Sequence, residues 1–344
     1  KIGNFKLFNQ SKVYIVAEIS ANHGGDIKNV FKSIDFLKRI GVNAVKIQSY
    51  EAETLTPNIR KKIFYINDNS IWRGRYLYDL YKSAQTPFSW HKKIFEYAKK
   101  KKITCFSSPF DKKAVDILEK LKCPAYKIAS AEIQDLNLIN YIAKQKKPII
   151  ISTGIADEND IKLAIKECLS CNNNKIILLN CISSYPADAT ELNLNHIEIL
   201  KNYTNIIGYS DHYIGGEASL ASIALGAKVI EKHFIYNDNI NSPDKLFSMN
   251  CKQFEIFVKK IRKLEVMLGS EKIDKKNLLK KKLKTISRSL FYIKDLKKGE
   301  KITKYNIQSY RPGIGISPNQ FRSLLGKTIK KNVKKYSPVQ KKDL

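Results

Sequence analysis

Eight short apolar runs, each rich in Ile, Val or Phe, recur along the first two thirds of the chain. They are YIVAEIS (14–20), AVKIQS (44–49), ITCFSSPF (103–110), AYKIAS (125–130), PIIISTG (148–154), KIILLNC (175–181), NIIGYS (205–210) and KVIEKHF (228–234). Most of the gaps hold amphipathic stretches of helix length, such as IKNVFKSIDFLKRIG, WHKKIFEYAKKKK, DKKAVDILEKLK and ENDIKLAIKECL. Strand, helix, strand in steady succession implies parallel pairing. Eight such units over roughly 255 residues match a (β/α)8 TIM barrel in number and size. A doubly wound open sheet is the structural alternative. No G-x-G-x-x-G follows the first run, which weighs against a dinucleotide-binding version of it. The expected organisation is a barrel over 1–270, a basic helix or linker over 271–287, and a small, turn-rich β domain over 288–344.

At 344 residues the chain is too long for one small core, and a large domain plus a smaller one accommodates it. A hydrophobic content of 43% makes it globular rather than disordered. No apolar run reaches the roughly 18 residues that a membrane span needs. The opening residues, KIGNFKLFNQ, hold no secretory apolar region, so a cytoplasmic protein is expected. Its six cysteines are then reduced thiols. Cys168 and Cys171 form one CxxC without the second pair that a zinc site calls for.

The formal net charge of +30 raises a nucleic-acid hypothesis. Residues 271–344 hold 22 Lys and Arg against 5 Asp and Glu. The basic residues show no recognition-helix or RNP-type pattern, and Lys, Ile and Asn are abundant everywhere. A solvated lysine surface that attracts anionic substrates is the better reading, with neither nucleic acid nor membrane as a partner.

The barrel reading makes a sharp demand, because active sites of this fold sit at the C-terminal ends of the strands. Those ends carry Glu18, Lys46 with Gln48, Ser108, Lys127 with Ser130 and Glu132, Ser152, Tyr185, Ser210 with His212, and Lys232 with His233. Any one of these fits an ordinary loop or core role; eight strand ends turning polar groups to one rim are harder to dismiss. His212 and His233 end neighbouring strands and can share one metal ion, with positions left for water and substrate. Mn2+, Fe2+ and Zn2+ all suit two imidazoles without thiolates. His23, after the first strand, is a further rim candidate, whereas His91 and His196 lie on helical patterns. Lys46 and Lys127, among four serines, suit a phosphorylated carboxylate. A Schiff-base aldolase is the rival reading for a barrel lysine. A long insertion, 51–88, brings Trp72, Arg73, Arg75 and several tyrosines that suit a sugar. A second polar loop, 236–250, follows the last strand.

The motifs AEISANHGG, VKIQSY, FSSPFD, AYKIASAEI, ISTG, SSYPA, GYSDH, IEKHF and RPGIGISP resemble, in this order, those of the sialic acid synthase family. WRGRYLYDLYKSAQTPFSWH, RSLFYIKDLKKGE and SYRPGIGISP are similar to the pseudaminic acid synthase branch. The resemblance covers nearly the whole chain and implies a TIM barrel followed by a small β-rich antifreeze-like (SAF) domain. It implies condensation of phosphoenolpyruvate (PEP) with 2,4-diacetamido-2,4,6-trideoxy-altrose, giving a nonulosonic acid and phosphate by C–O cleavage. N-acetylneuraminic and legionaminic acid synthases are the near alternatives, and a sugar- or anion-binding protein without turnover is the distant one. By resemblance His212 and His233 hold a divalent metal, Mn2+ ahead of Mg2+ or Co2+. Lys46, Ser108, Lys127, Ser130, Ser152 and Ser210 match PEP-binding positions. Gln48, Glu132, Tyr185 and Asp244 match positions facing the sugar, with Glu18 nearby and Glu132 the carboxylate closest to the chemistry. Arg311 matches an arginine that reaches a partner's barrel, which implies a domain-swapped homodimer. Asp211 is expected to orient Ser210 or His212 from behind. SSPF stands where many relatives have STPF, and the bulky Lys245 follows Asp244.

Overall fold

Eight parallel strands close on themselves in chain order: β1 (Tyr14–Glu18), β2 (Ala44–Ser49), β3 (Thr104–Pro109), β4 (Tyr126–Ile128), β5 (Ile149–Ser152), β6 (Ile176–Cys181), β7 (Ile207–Asp211) and β8 (Val229–His233), which pairs back to β1. This is a computed structural model, and it describes residues 2–3, 5–6, 12–68, 70–269 and 284–344. The TIM barrel expected from the alternating runs is present. The linker read at 271–287 falls largely outside the described residues.

Helices α1 (Ile27–Arg39), α2 (Ala52–Leu55), α3 (Leu77–Ala84), α4 (Phe88–Lys100), α5 (Lys112–Lys120), α6 (Leu136–Ala143), α7 (Glu158–Ser170), α8 (His196–Leu200), α9 (Glu217–Ala224) and α10 (Cys251–Leu268) follow or separate the strands. Their starts are written in the sequence. Asp26 caps α1 through the Lys28 N–H, and Asp157 with Asp160 and Asn250 with Gln253 form reciprocal boxes at α7 and α10. The insertion at 51–88 is not one loop, since α2 and α3 lie within it.

Strand residues alternate between the two faces of the barrel wall. Ile15, Ala17, Val45, Ile47 and Ile230 pack outward against Val30, Ile34, Leu37, Ile94, Phe254 and Phe257 of the helices. Val16, Ala44, Phe106 and Ile150 share the inward parity and plug the lower part of the cylinder. One step higher, the same parity places Glu18, Lys46, Ser108, Ser152, Ser210 and Glu231 inside. The barrel is thus apolar at its base and ionic towards its C-terminal mouth.

The chain divides into two units, Lys1–Gly269 and Ser270–Leu344. In the second, β9 (Ser289–Tyr292) pairs antiparallel with β10 (Ile307–Tyr310), and single bridges join Phe291 to Pro338, Leu296 to Val333 and Lys301 to Thr328. A core of Leu290, Tyr292, Ile302, Ile307, Leu324, Ile329 and Val339 fills it. Among the described residues, no helix is long and apolar enough to cross a membrane.

Candidate active site

Two lysines lie inside the barrel with almost no exposure, and their partners define the lower floor of the site. The Lys46 ammonium sits 2.7 Å from Glu18 Oε2, 3.2 Å from Glu231 Oε1 and 3.2 Å from Ser108 Oγ. Lys127 donates to Ser152 Oγ at 2.6 Å and to the Ile128 carbonyl at 3.1 Å, and stands 3.9 Å from Glu231 Oε1. Ser210 donates to the same carboxylate oxygen at 3.1 Å. Burial alone disfavours every charge here. For Lys46 the carboxylates of Glu18 and Glu231 more than offset it and hold the ammonium above its usual range. For Lys127 burial wins, and the ammonium falls below it. Burial pushes Glu18 up to about 7 against the pull of Lys46, whereas the two lysines overcome burial and hold Glu231 below the usual carboxylate range.

Beside this floor, Ser130 Oγ accepts from the Ile155 N–H at 2.9 Å and from Ser183 Oγ at 2.9 Å. The approach depends on Gly154, where a Cβ would stand 2.5 Å from Ser183 Oγ and 2.8 Å from Ser130 Oγ. Glu132 follows Ser130 in a single 3-10 turn. Burial pushes its carboxyl up to about 7 although Lys127 pulls it down, and its Oε2 is buried without a hydrogen-bond partner.

The upper floor is aromatic. The His212 and His233 rings lie with centroids 5.4 Å apart. The Ile182 carbonyl lies 2.7 Å from His212 Nδ1. A carbonyl only accepts, so Nδ1 carries the proton and Nε2 keeps a free lone pair. Burial pushes His212 down to about 4 and His233 well below its ordinary value, so both rings are neutral near pH 7. His233 Nδ1 is buried with no hydrogen bond; Asp244 Oδ2 is 3.7 Å away. Tyr185 packs 4.2 Å from His212, and Phe247 4.8 Å from His233.

The geometry therefore gathers Glu18, Lys46, Ser108, Lys127, Ser152 and Ser210 into one contact network, and His212, His233, Tyr185 and Asp244 into another. Gln48 pairs in register with Ser108 and is half-buried. Arg311 belongs to the C-terminal unit, where it is exposed. Lys245, the residue after Asp244, is exposed.

Three readings change. Lys232 does not face the rim: it has the outward parity, pairs with Asp211 at 3.2 Å and donates to the Tyr213 carbonyl. Asp211 holds Lys232, Ser219 Oγ at 2.5 Å and the Tyr213 N–H at 2.9 Å, so it fixes the turn after His212 rather than touching Ser210 or the imidazole. His23 accepts the Gly25 N–H on Nδ1 at 3.0 Å, donates from Nε2 to the Ala84 carbonyl at 3.3 Å and packs edge-on to Trp90; it ties a loop together. Glu231 was missed. Period two in IEKHF carries the signal, because it puts Glu231 on the same face as His233 and Lys232 on the other.

Residues 33–273 match the NeuB family and residues 287–344 match the SAF domain. A pseudaminic acid synthase of Campylobacter jejuni is 42% identical over 97% of this chain and 96% of its own. One from Helicobacter pylori is 40% identical over 96% of this chain and 97% of its own. The crystal structure of an N-acetylneuraminic acid synthetase from Leptospira borgpetersenii, in complex with citrate, is 29% identical and superposes with a TM-score of 0.73 over 82% of this chain and 94% of that one. An eight-stranded barrel with an ionic floor under a histidine pair, a matched family model over most of its length and full-length relatives place the chain in the NeuB family, with a SAF domain at its C-terminal end.

Proposed function

We propose that this chain is a pseudaminic acid synthase, condensing PEP with 2,4-diacetamido-2,4,6-trideoxy-altrose and water to give pseudaminic acid and phosphate. The observation that carries the reading is a pair of neutral imidazoles, with ring centroids 5.4 Å apart, at the end of a barrel that also buries two ammonium groups. The 42% identity to a pseudaminic acid synthase over nearly the full length supports the choice of sugar.

His212 and His233 are the residues that would hold a divalent cation, Mn2+ ahead of Mg2+ or Co2+. They fit one, since both are neutral and His233 Nδ1 has no hydrogen-bond partner. Among the described residues no group of three or more His, Cys, Asp or Glu converges on a metal-sized site, so water and substrate would complete the ligand set. A bound cation supplies Lewis-acid polarisation of the aldehyde oxygen.

Lys46 and Lys127 bind the carboxylate and phosphate of PEP, and Ser108, Ser130, Ser152 and Ser210 donate to the same anions. The floor already holds two carboxylates, so an arriving anion must be offset. Glu18, pushed up to about 7, is the group placed to take up a proton as PEP binds. Gln48, Tyr185 and Asp244 orient the aldehyde, and Arg311 of the partner subunit completes that end in a domain-swapped homodimer.

C3 of PEP attacks the aldehyde carbon, and the carbonyl electron pair moves to its oxygen. C2 becomes electron-poor and takes up water. Glu132, whose free Oε2 faces no partner, accepts a proton from that water and passes it to the alkoxide. The C2 hydroxyl of the tetrahedral centre then gives its proton to the departing phosphate, which leaves by C–O cleavage, and the C2 ketone remains. Alignment of both substrates in one pocket lowers the barrier further. PEP is a metabolite of the cytoplasm, and the enzyme is placed there.

The test uses metal-stripped protein, re-added Mn2+ or Mg2+, PEP, and the aldehyde precursors of pseudaminic, N-acetylneuraminic and legionaminic acids in turn. Metal-dependent phosphate release fastest with the altrose derivative is expected. Faster release with either other sugar contradicts the specificity, and no release with any sugar contradicts the enzyme.

A further inference from the structure

The insertion between β2 and α4 carries a group that the steps above do not use. Its chain doubles back on itself: Tyr65 and Tyr76 form an antiparallel bridge, the Ile66 N–H donates to the Arg75 carbonyl at 2.9 Å, and the Gly74 N–H donates to the Ile66 carbonyl at 2.9 Å. Gly74 supplies the positive φ of 90° that this return needs. Arg60 braces the base, with two 2.9 Å bonds to Asp79 and its guanidinium over the Tyr76 ring.

Trp72 stands in that return. Its indole N–H donates to the Pro243 carbonyl at 3.0 Å, immediately before Asp244. Its ring lies 5.5 Å from Tyr185 and 6.5 Å from Phe247, and those two rings lie 5.1 Å apart. Tyr185 and Phe247 are in turn the neighbours of His212 and His233. Three segments remote in sequence therefore build one aromatic wall against the imidazole pair. The indole N–H is already engaged, so the Trp72 face has no donor to offer a sugar hydroxyl. Such a face receives a methyl group well and leaves a hydroxyl without a partner.

We infer that Trp72 is a specificity-determining residue: latched to the loop that carries Asp244, it selects a sugar aldehyde ending in a methyl group over one ending in a hydroxymethyl group. The inference rests on the proposed function and deepens it. If the imidazoles fix the aldehyde end of a six-carbon chain, the wall lies at the scale of its far end.

The experiment compares wild type, Trp72→Ala and Trp72→Phe with two aldehydes that differ only at C6, methyl against hydroxymethyl, at saturating PEP and Mn2+. Wild type should prefer the methyl sugar in kcat/KM by roughly 10–100-fold. Trp72→Ala should lose most of that preference through the methyl sugar, with KM for PEP unchanged. Trp72→Phe should keep the preference but raise KM for both sugars, because the ring stays and the latch is gone. An equal loss for both sugars in Trp72→Ala, with the preference intact, overturns the inference and leaves the proposed function standing. No turnover by wild type with either aldehyde overturns the proposed function and the inference with it.

A second measurement does not depend on the alanine variant folding. The chain has two tryptophans, so Trp90→Phe leaves Trp72 as the lone indole. With PEP and Mn2+ present, the unreactive alditol of the methyl sugar should shift its emission to the blue more than the hydroxymethyl alditol does at equal saturation. Equal or absent shifts overturn the inference.

Discussion

Lysine is the commonest charge in both units, but among the described residues only the barrel buries any of it. In the barrel, Lys46 and Lys127 are 3% and 2% exposed and lie among carboxylates and hydroxyls. In the C-terminal unit the described lysines stay on the outside of an apolar core, as with Lys334, whose side chain is 86% exposed while it pairs with Asp295. The inner pair is held by the fold and desolvated, so its field acts on a ligand with little screening. The outer lysines are solvated and screened. The net charge of +30 is mostly of the second kind, and the chemistry depends on the first.

The largest test of this contrast is to remove one ammonium from each unit. Lys127→Met should lower kcat/KM for PEP by about 100–1,000-fold, the scale of losing a preorganised electrostatic contact. Lys334→Met should leave steady-state kinetics unchanged. Comparable losses in both would erase the distinction.

The next effect is on stability. Asp211 and Lys232 form a pair with no exposed side-chain surface behind the histidine strand. Asp211→Ala strands a buried ammonium and should cost about 3–5 kcal/mol in denaturant unfolding. Asp295→Ala, which frees an exposed lysine, should leave the unfolding midpoint where it is. An unchanged midpoint for Asp211→Ala would show that the outer-face pair is not part of what holds β7 and β8 in register.

The smallest effect is the pH profile. Burial pushes Glu132 up to about 7, so below that pH it carries a proton and cannot accept another. Activity should therefore rise with pH through about 7 in wild type, and Glu132→Gln should be slower and lack that rise. The stability sign is opposite. The folded carboxyl binds its proton more tightly than the unfolded one, so its contribution is full below about 4.3 and is lost as pH rises through about 7. A Glu132→Gln profile that keeps the same rise would move the titration to another group.

Much of the barrel could be read from the sequence because strands buried on both faces are nearly continuous apolar runs. The run at 125–130 shows the limit: only Tyr126–Ile128 pairs as strand, because the chain turns at Ser130 to bring Glu132 inward. The insertion was harder. α3 is eight residues of mixed Tyr, Leu and Lys, and its one buried residue, Leu80, gives little periodic signal. Within the site, His212 and His233 stood out because histidine is rare in this chain. Glu231 did not, because a carboxylate between Ile and Lys resembles any surface residue until strand parity is imposed. The Trp72–Pro243 contact joins residues 171 apart, and no local pattern announces it.

The central claim is that His212 and His233 together form one divalent-metal site above the buried lysines. Metal-stripped protein titrated with Mn2+ and followed by electron paramagnetic resonance tests it directly. One tight site per chain in wild type is predicted, weakened by at least about 100-fold in His212→Ala and in His233→Ala alike. Wild-type affinity in either variant, with its fold intact by circular dichroism, would contradict the account.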